Sequence, residues 1–65
     1  MRDYSRTELT EAIDEWVHNE KHRQILKFRL LEGYTYEAIS ELCGMSPRQI
    51  KRIVYKTQET LFRHI

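Results

Sequence analysis

The sequence of 65 residues has one cysteine, one proline and two glycines, and it contains no long apolar run. With Cys43 alone no internal disulfide can form, which favours a reducing compartment. No stretch approaches the roughly 18 apolar residues that a membrane-spanning helix needs, and residues 1–5 lack the apolar part of a signal peptide. We therefore expect a cytoplasmic protein with no membrane partner.

The sequence also lacks the patterns of an enzyme. A chain of this length buries only about 60% of its unfolded surface, which leaves little room for a substrate cleft. Paired carboxylates, a nucleophile with its base and a phosphate loop are all missing, so we expect no catalytic residues. His18 and His22 have a metal-ligand spacing, but Asn19 should break the helix between them and no third ligand is near. We expect no metal and no cofactor.

Helix signals dominate what is present. A composition that is 40% hydrophobic and 32% charged is typical of a helical globular domain, and no segment has the pattern of a strand. We predict an all-α fold, a single small four-helix domain over residues 1–65. The predicted helices cover residues from about 6 to 18, 20 to 32, 36 to 43 and 47 to 63.

Capping residues define where these helices begin. The predicted N-caps are Ser5, Asn19, Thr35 and Ser46. Glu8 and Gln49 each follow a serine by three positions and complete capping boxes, and Pro47 suits the first position of the fourth helix. Gly33 and Gly44 are predicted to take left-handed conformations after the second and third helices.

Apolar residues at helical spacing predict the core. In the first helix they are Leu9, Ala12, Ile13, Trp16 and Val17; in the third, Ala38, Ile39, Leu42 and Cys43; in the fourth, Ile50, Ile53, Val54, Thr57, Leu61 and Ile65. The second helix is apolar on most sides and should lie in the middle of the bundle. Packing is the interpretation favoured for Trp16 and Cys43, and His64 falls at a terminus expected to fray.

Charge is divided unevenly along the chain, although the total is only +1. Residues 1–45 carry a net −3 and residues 46–65 a net +4. In the fourth helix a polar side lies opposite the apolar stripe. Its residues are Arg48, Arg52, Tyr55, Lys56, Glu59 and Arg63, and Gln49 and Lys51 lie at its flanks. The helix dipole disfavours cations in a first turn, so bases placed there indicate a role in binding a polyanion.

The third and fourth helices have the spacing of a helix-turn-helix, in which the second helix inserts its N-terminal residues into the major groove. Ser40 is small where the helices approach, Gly44 permits the turn, and Met45 fills the space beneath it. Ile50 and Ile53 should fill the angle between the helices.

The stretch from Phe28 to Ile53, FRLLEGYTYEAISELCGMSPRQIKRI, resembles the C-terminal promoter-reading domain of bacterial sigma factors and related small phage-type transcriptional regulators. An apolar helix ending in glycine, a threonine cap, Leu-x-Gly-x-Ser and a basic helix carry the resemblance. It implies that α-helical residues Arg48, Gln49 and Arg52 contact bases, since arginine pairs with guanine and glutamine with adenine. It also implies that Ser46 and Lys51 face DNA and that Thr35 and Tyr36 lie near a phosphate. By their chemistry, Lys51 and Lys56 suit contacts with the DNA backbone, and Tyr55 could either reach a phosphate or pack.

Two functions follow as expectations. The first is sequence-selective binding of double-stranded DNA in transcription regulation, of phage or mobile-element type. A single module covers few base pairs, so a homodimer or RNA polymerase would have to add affinity. The alternative is an adaptor or inhibitor that binds RNA polymerase, a nuclease or another basic partner. It would use the acidic first helix, with Glu8, Glu11, Asp14 and Glu15. We see no upstream domain for a second promoter element and do not expect independent sigma activity.

Overall fold

The computed structural model describes residues 4–65, which form four α-helices and no strand. They are α1 (Arg6–Trp16), α2 (Glu20–Leu30), α3 (Tyr36–Cys43) and α4 (Pro47–His64). The predicted all-α fold is confirmed. None of the helices in this part of the chain is long and apolar enough to cross a membrane.

The four predicted N-caps are confirmed. Ser5 and Ser46 both form complete capping boxes with the residue three positions later, and Pro47 begins α4. The side chains of Asn19 and Thr35 accept hydrogen bonds from the backbone N–H groups of His22 and Ala38, each at 3.1 Å. Each helix therefore begins where its own local sequence satisfies the first free amides.

Three helix ends differ from the prediction. Helices α1 and α2 each end two residues earlier, and α4 ends one residue later. Val17 is extended at the end of α1, and its carbonyl accepts a hydrogen bond from Arg23 of α2. After α2 the chain wraps back, so that the N–H of Tyr34 donates to the carbonyl of Phe28 at 3.1 Å. Gly33 has the predicted left-handed conformation, with φ of 70°. A contact with another helix thus accompanies the end of α1, whereas a local turn that contains Gly33 ends α2.

Helices α2 and α4 form the centre of the molecule. They pack on each other, and both contact α1 and α3, whereas α1 and α3 do not touch each other within residues 4–65. The predicted central position of α2 is thus correct, and α4 shares it. The side chains that are completely buried are Ile13, Ile25, Leu26, Ile39, Ile50, Val54 and Leu61.

Some residues of the predicted core are less buried than expected. Leu42 is 61% exposed, so its assignment to the apolar stripe of α3 was wrong. Cys43 is only partly buried, although it packs against the core as predicted. Trp16 is also partly buried, and its ring stacks on that of His64 with centroids 4.0 Å apart. His64 is therefore a helical residue with a partner.

Polar contacts fix α1 against α2. Arg23 donates to the carbonyls of Val17 and Asp14, and the Lys27 ammonium lies 2.8 Å from the Asp14 carboxylate. At the other end of α1, the Arg6 guanidinium donates to the Leu31 carbonyl at 2.8 Å. Held near both ends, α1 has a fixed orientation relative to the other helices.

Candidate nucleic-acid interface

A short turn joins α3 to α4 and sets the angle between them. Gly44 has φ of 66° and ψ of 31°, a left-handed conformation in which other residues are strained. The backbone N–H of Gly44 and that of Met45 both donate to the Ser40 carbonyl. Met45 packs against the core beneath the turn, as its position in the sequence predicts. This is the geometry of a helix-turn-helix.

The apolar side of α4 fixes which side faces outward. Ile50, Val54 and Leu61 are fully buried along it. Thr57, the one buried polar residue among those described, donates its hydroxyl to the Ile53 carbonyl at 2.6 Å, so no polar group is left unsatisfied there. Because this stripe anchors α4, the rotation of the helix about its axis is determined.

The outward side of α4 presents a cationic face, which we define as Arg48, Lys51, Arg52 and Lys56. All four side chains are exposed, and none forms an ion pair with the described part of the chain. Arg63, nearer the C-terminus, differs, because its guanidinium lies 3.1 Å from the Glu59 carboxylate. The cationic face is thus accessible to an anionic ligand, as a DNA-binding helix must be.

Gln49 lies beside this face but is partly committed to the helix start. Its side-chain oxygen accepts hydrogen bonds from the backbone N–H of Ser46 at 3.1 Å and from the Ser46 hydroxyl at 3.2 Å. A bidentate contact with adenine needs both that oxygen and the amide nitrogen. In this arrangement the nitrogen alone can reach a base, unless the capping box opens. The Ser46 hydroxyl is engaged in the same box.

Tyr55 is exposed and does not pack in the core. The residue is 58% exposed, and the Lys51 ammonium lies 5.6 Å from the centroid of its ring. Of the two roles that the sequence left open, packing is therefore excluded. The phenol remains available on the same side as Lys51.

The N-terminus of α3 is the other predicted DNA contact. Thr35 is exposed and caps the helix through its hydroxyl. The ring of Tyr36 is partly buried beneath the guanidinium of Arg29, which lies 4.5 Å from the ring centroid. The backbone N–H of Tyr36 has no partner inside the helix and is a candidate donor to a phosphate. The sequence did not point to Arg29. Its contacts join α2 to residues after the end of that helix, so they follow no helical spacing of side chains.

The four acidic residues of α1 do not form one surface. Glu8, Glu11 and Glu15 line a shallow groove beside the end of α4, with Trp16 and Ile65 at its floor. Asp14 faces α2 and pairs with Lys27; this hydrogen bond holds the pKa of the Asp14 carboxyl below its ordinary value of 3.8. Asp14 thus differs from the other three, because its carboxylate is engaged by Lys27 and does not line the groove.

No three His, Cys, Asp or Glu side chains within residues 4–65 are arranged to hold a metal ion. His18 and His22 lie on either side of the break at Asn19, with His18 outside both helices. The arrangement therefore offers cationic, amide and phenol groups on a rigid helix. These groups suit recognition of a polyanion.

The family model for sigma-70 region 4 matches residues 19–57, more than half of the chain. The match begins at the N-cap of α2, includes α3 and the turn, and ends within α4, so the cationic face lies inside it. Neither the curated proteins nor the solved structures yield a match. The chain therefore belongs to the sigma-70 region 4 family and is a helix-turn-helix DNA-binding domain of the transcription machinery.

Proposed function

We propose that the domain binds double-stranded DNA sequence-selectively, with the N-terminal half of α4 in the major groove. The observation that carries this proposal is the open cationic face, four exposed cations on a helix whose opposite side is fully buried. Unpaired charges on a rigid support need no rearrangement before they meet phosphates and bases. Such preorganisation favours binding.

The roles within the face follow from side-chain chemistry. Arg48 and Arg52 are assigned to bases, because a guanidinium can pair with two acceptors of guanine at once. Gln49 is assigned to a base through its amide nitrogen. Phosphate contacts, which fix position without selecting sequence, are assigned to lysine, hydroxyl and backbone groups. These are Thr35, Tyr36, Ser46, Lys51, Tyr55 and Lys56.

A protein contact is proposed alongside DNA binding. The groove lined by Glu8, Glu11 and Glu15 borders the C-terminal end of α4, away from the residues assigned to bases. A protein bound there would not compete with the duplex, and RNA polymerase is the partner that the family suggests. Homodimerisation, a phage-type origin, a cytoplasmic location and the lack of enzyme activity remain predictions.

Selection from a random duplex library, followed by fluorescence anisotropy, tests the DNA-binding proposal. Arg52→Ala should weaken binding to a selected site by about tenfold and binding to random duplex by less, since one base contact is worth roughly 1–3 kcal/mol of discrimination. Arg63→Ala is the matched control, because it removes a cation of the same helix that pairs with Glu59. An isotherm of Arg52→Ala that equals that of the unmodified chain contradicts the placement of α4.

The adaptor alternative gives a different result in the same experiment. A protein that uses only its acidic groove has no affinity for any duplex, so the library would yield no enriched sequence. In that outcome the cationic face serves solubility, and the search for a partner moves to basic proteins.

A further inference from the structure

Arg29 lies in the last turn of α2 but makes its contacts at the start of α3. Its Nη1 donates to the Tyr34 carbonyl at 2.9 Å. The carbon at the centre of the guanidinium lies 4.5 Å from the centroid of the Tyr36 ring. One planar group therefore holds two residues that flank Thr35, the N-cap of α3.

The connection from α2 to α3 is held at further points. The rings of Phe28 and Tyr34 stack with centroids 5.5 Å apart, and the Tyr34 N–H donates to the Phe28 carbonyl. These contacts fix Tyr34 to α2. Helix α3 itself is anchored by Ile39, which is fully buried, and by the core packing of Tyr36. To this packing Arg29 adds a hydrogen bond and a stacking contact on the two sides of Thr35, at the first turn of α3.

We propose that Arg29 is a positioning residue that orients the N-terminus of α3 for its DNA phosphate. The proposal rests on the proposed DNA-binding function, in which Thr35 and the Tyr36 N–H contact a phosphate of the DNA backbone. The first-turn amides of a helix bind an anion only where they point at it. A change in the angle of this short helix therefore weakens the contact, even though no atom of Arg29 has to touch DNA.

The geometry specifies arginine rather than any cation. A guanidinium stacks its face on an aromatic ring while its edge donates hydrogen bonds, whereas an ammonium has neither a face nor a fixed edge. Arg29→Lys keeps the charge and most of the apolar stem but loses the combined contact. Tyr36→Leu keeps Arg29 and its charge but removes the ring.

The test compares these two variants and their double mutant with the unmodified chain on a selected duplex at several salt concentrations. We expect Arg29→Lys and Tyr36→Leu each to bind about fivefold more weakly, with α-helical circular dichroism unchanged. The double mutant should bind more tightly than the product of the two single effects predicts, because the stacking contact that the two residues share can be lost only once. The slope of log K against log salt should stay unchanged, since no phosphate contact made by a cation is lost.

Other outcomes overturn the role of Arg29 in defined ways. Binding of Arg29→Lys equal to that of the unmodified chain, together with a slope lowered by about 0.9 in Arg29→Gln, identifies a direct phosphate contact instead. Loss of helical signal in Arg29→Lys assigns the residue to folding alone. If the unmodified chain has no affinity for any duplex, the proposed function itself is overturned. If the unmodified chain binds the selected duplex and the variants bind it equally well, only this inference is overturned.

Discussion

Gln49 shows how one side chain can serve both the fold and the interface. Its oxygen completes the capping box that starts α4, and its side-chain nitrogen is not used in that box. Because the two tasks use different atoms, a substitution can separate them. Glutamate keeps an acceptor oxygen for Ser46 and replaces the amide nitrogen with negative charge.

We predict that Gln49→Glu leaves the melting temperature unchanged or slightly raised and lowers duplex affinity by about tenfold. A carboxylate in a first turn is stabilised by the helix dipole, by about 0.3–1 kcal/mol, but it repels the phosphates and loses the donor to a base. Gln58→Glu, further along α4, makes the same change of charge and should bind normally. Thermal unfolding and anisotropy measure the two properties, and equal affinity losses in both variants would refute the assignment.

Asp14 gives a prediction for pH. The hydrogen bond from Lys27 is the largest cause of its lowered pKa, and partial desolvation acts in the opposite direction. A carboxyl whose pKa is lower in the folded state stabilises the fold above the pKa of the unfolded chain, and this stabilisation disappears as pH falls through the folded pKa. Asp14→Asn should therefore lower the melting temperature at about pH 7 and leave it unchanged near pH 2. An equal decrease at both values would show that the ion pair is not the cause.

Among the features of the helices, the sequence predicted those that depend on nearby residues. The four N-caps, Pro47 and the left-handed glycines depend on neighbours within a few residues, so each was visible in the sequence. The end of α1 was not visible, because a residue of another helix, Arg23, donates a hydrogen bond to the Val17 carbonyl there. The brace between Arg29 and Tyr36 was hidden for the same reason, since it joins two helices across a break.

Helix α3 illustrates the limit of a periodic pattern. Ile39 and Leu42 are three residues apart and were both assigned to the core, yet Ile39 is fully buried and Leu42 is 61% exposed. Eight residues make only about two turns, so the pattern cannot locate the edge of the covered stripe. Which flank is covered depends on how α2 and α4 pack against α3, and that information is tertiary.

We predict that this difference appears directly in stability. Leu42→Ser should change the free energy of unfolding by no more than about 0.5 kcal/mol, as an exposed position allows. Ile39→Ala, at a completely buried site, should cost about 2–4 kcal/mol through lost transfer energy and the remaining cavity. Urea unfolding of both variants provides the measurement. A cost for Leu42→Ser that approaches that of Ile39→Ala would mean that Leu42 is covered in solution.

The whole molecule separates its charges along α4. The helix of 18 residues is about 27 Å long, and the acidic groove borders its C-terminal end while the cationic face begins in its first turn. From Lys56, the last residue of the face, to Ile65 at the groove the distance along the helix axis is about 14 Å. Even this distance exceeds the Debye length of about 8 Å at physiological salt. A duplex at the cationic face should therefore respond little to the distant carboxylates, and net charge should be a poor guide to binding.

Two double variants whose changes of net charge are equal in size and opposite in sign test this separation. Lys51→Gln with Lys56→Gln removes two proposed phosphate contacts. The negative slope of log K against log salt should become less steep by about 1.8, because each contact contributes about −0.9. Glu11→Gln with Glu15→Gln removes two carboxylates that form no ion pair within residues 4–65 and should leave the slope unchanged. Anisotropy titrations across salt concentrations give both slopes. If the glutamate variant changed the slope as much as the lysine variant, DNA would be responding to total charge, and the cationic face would lose its assignment as the binding surface.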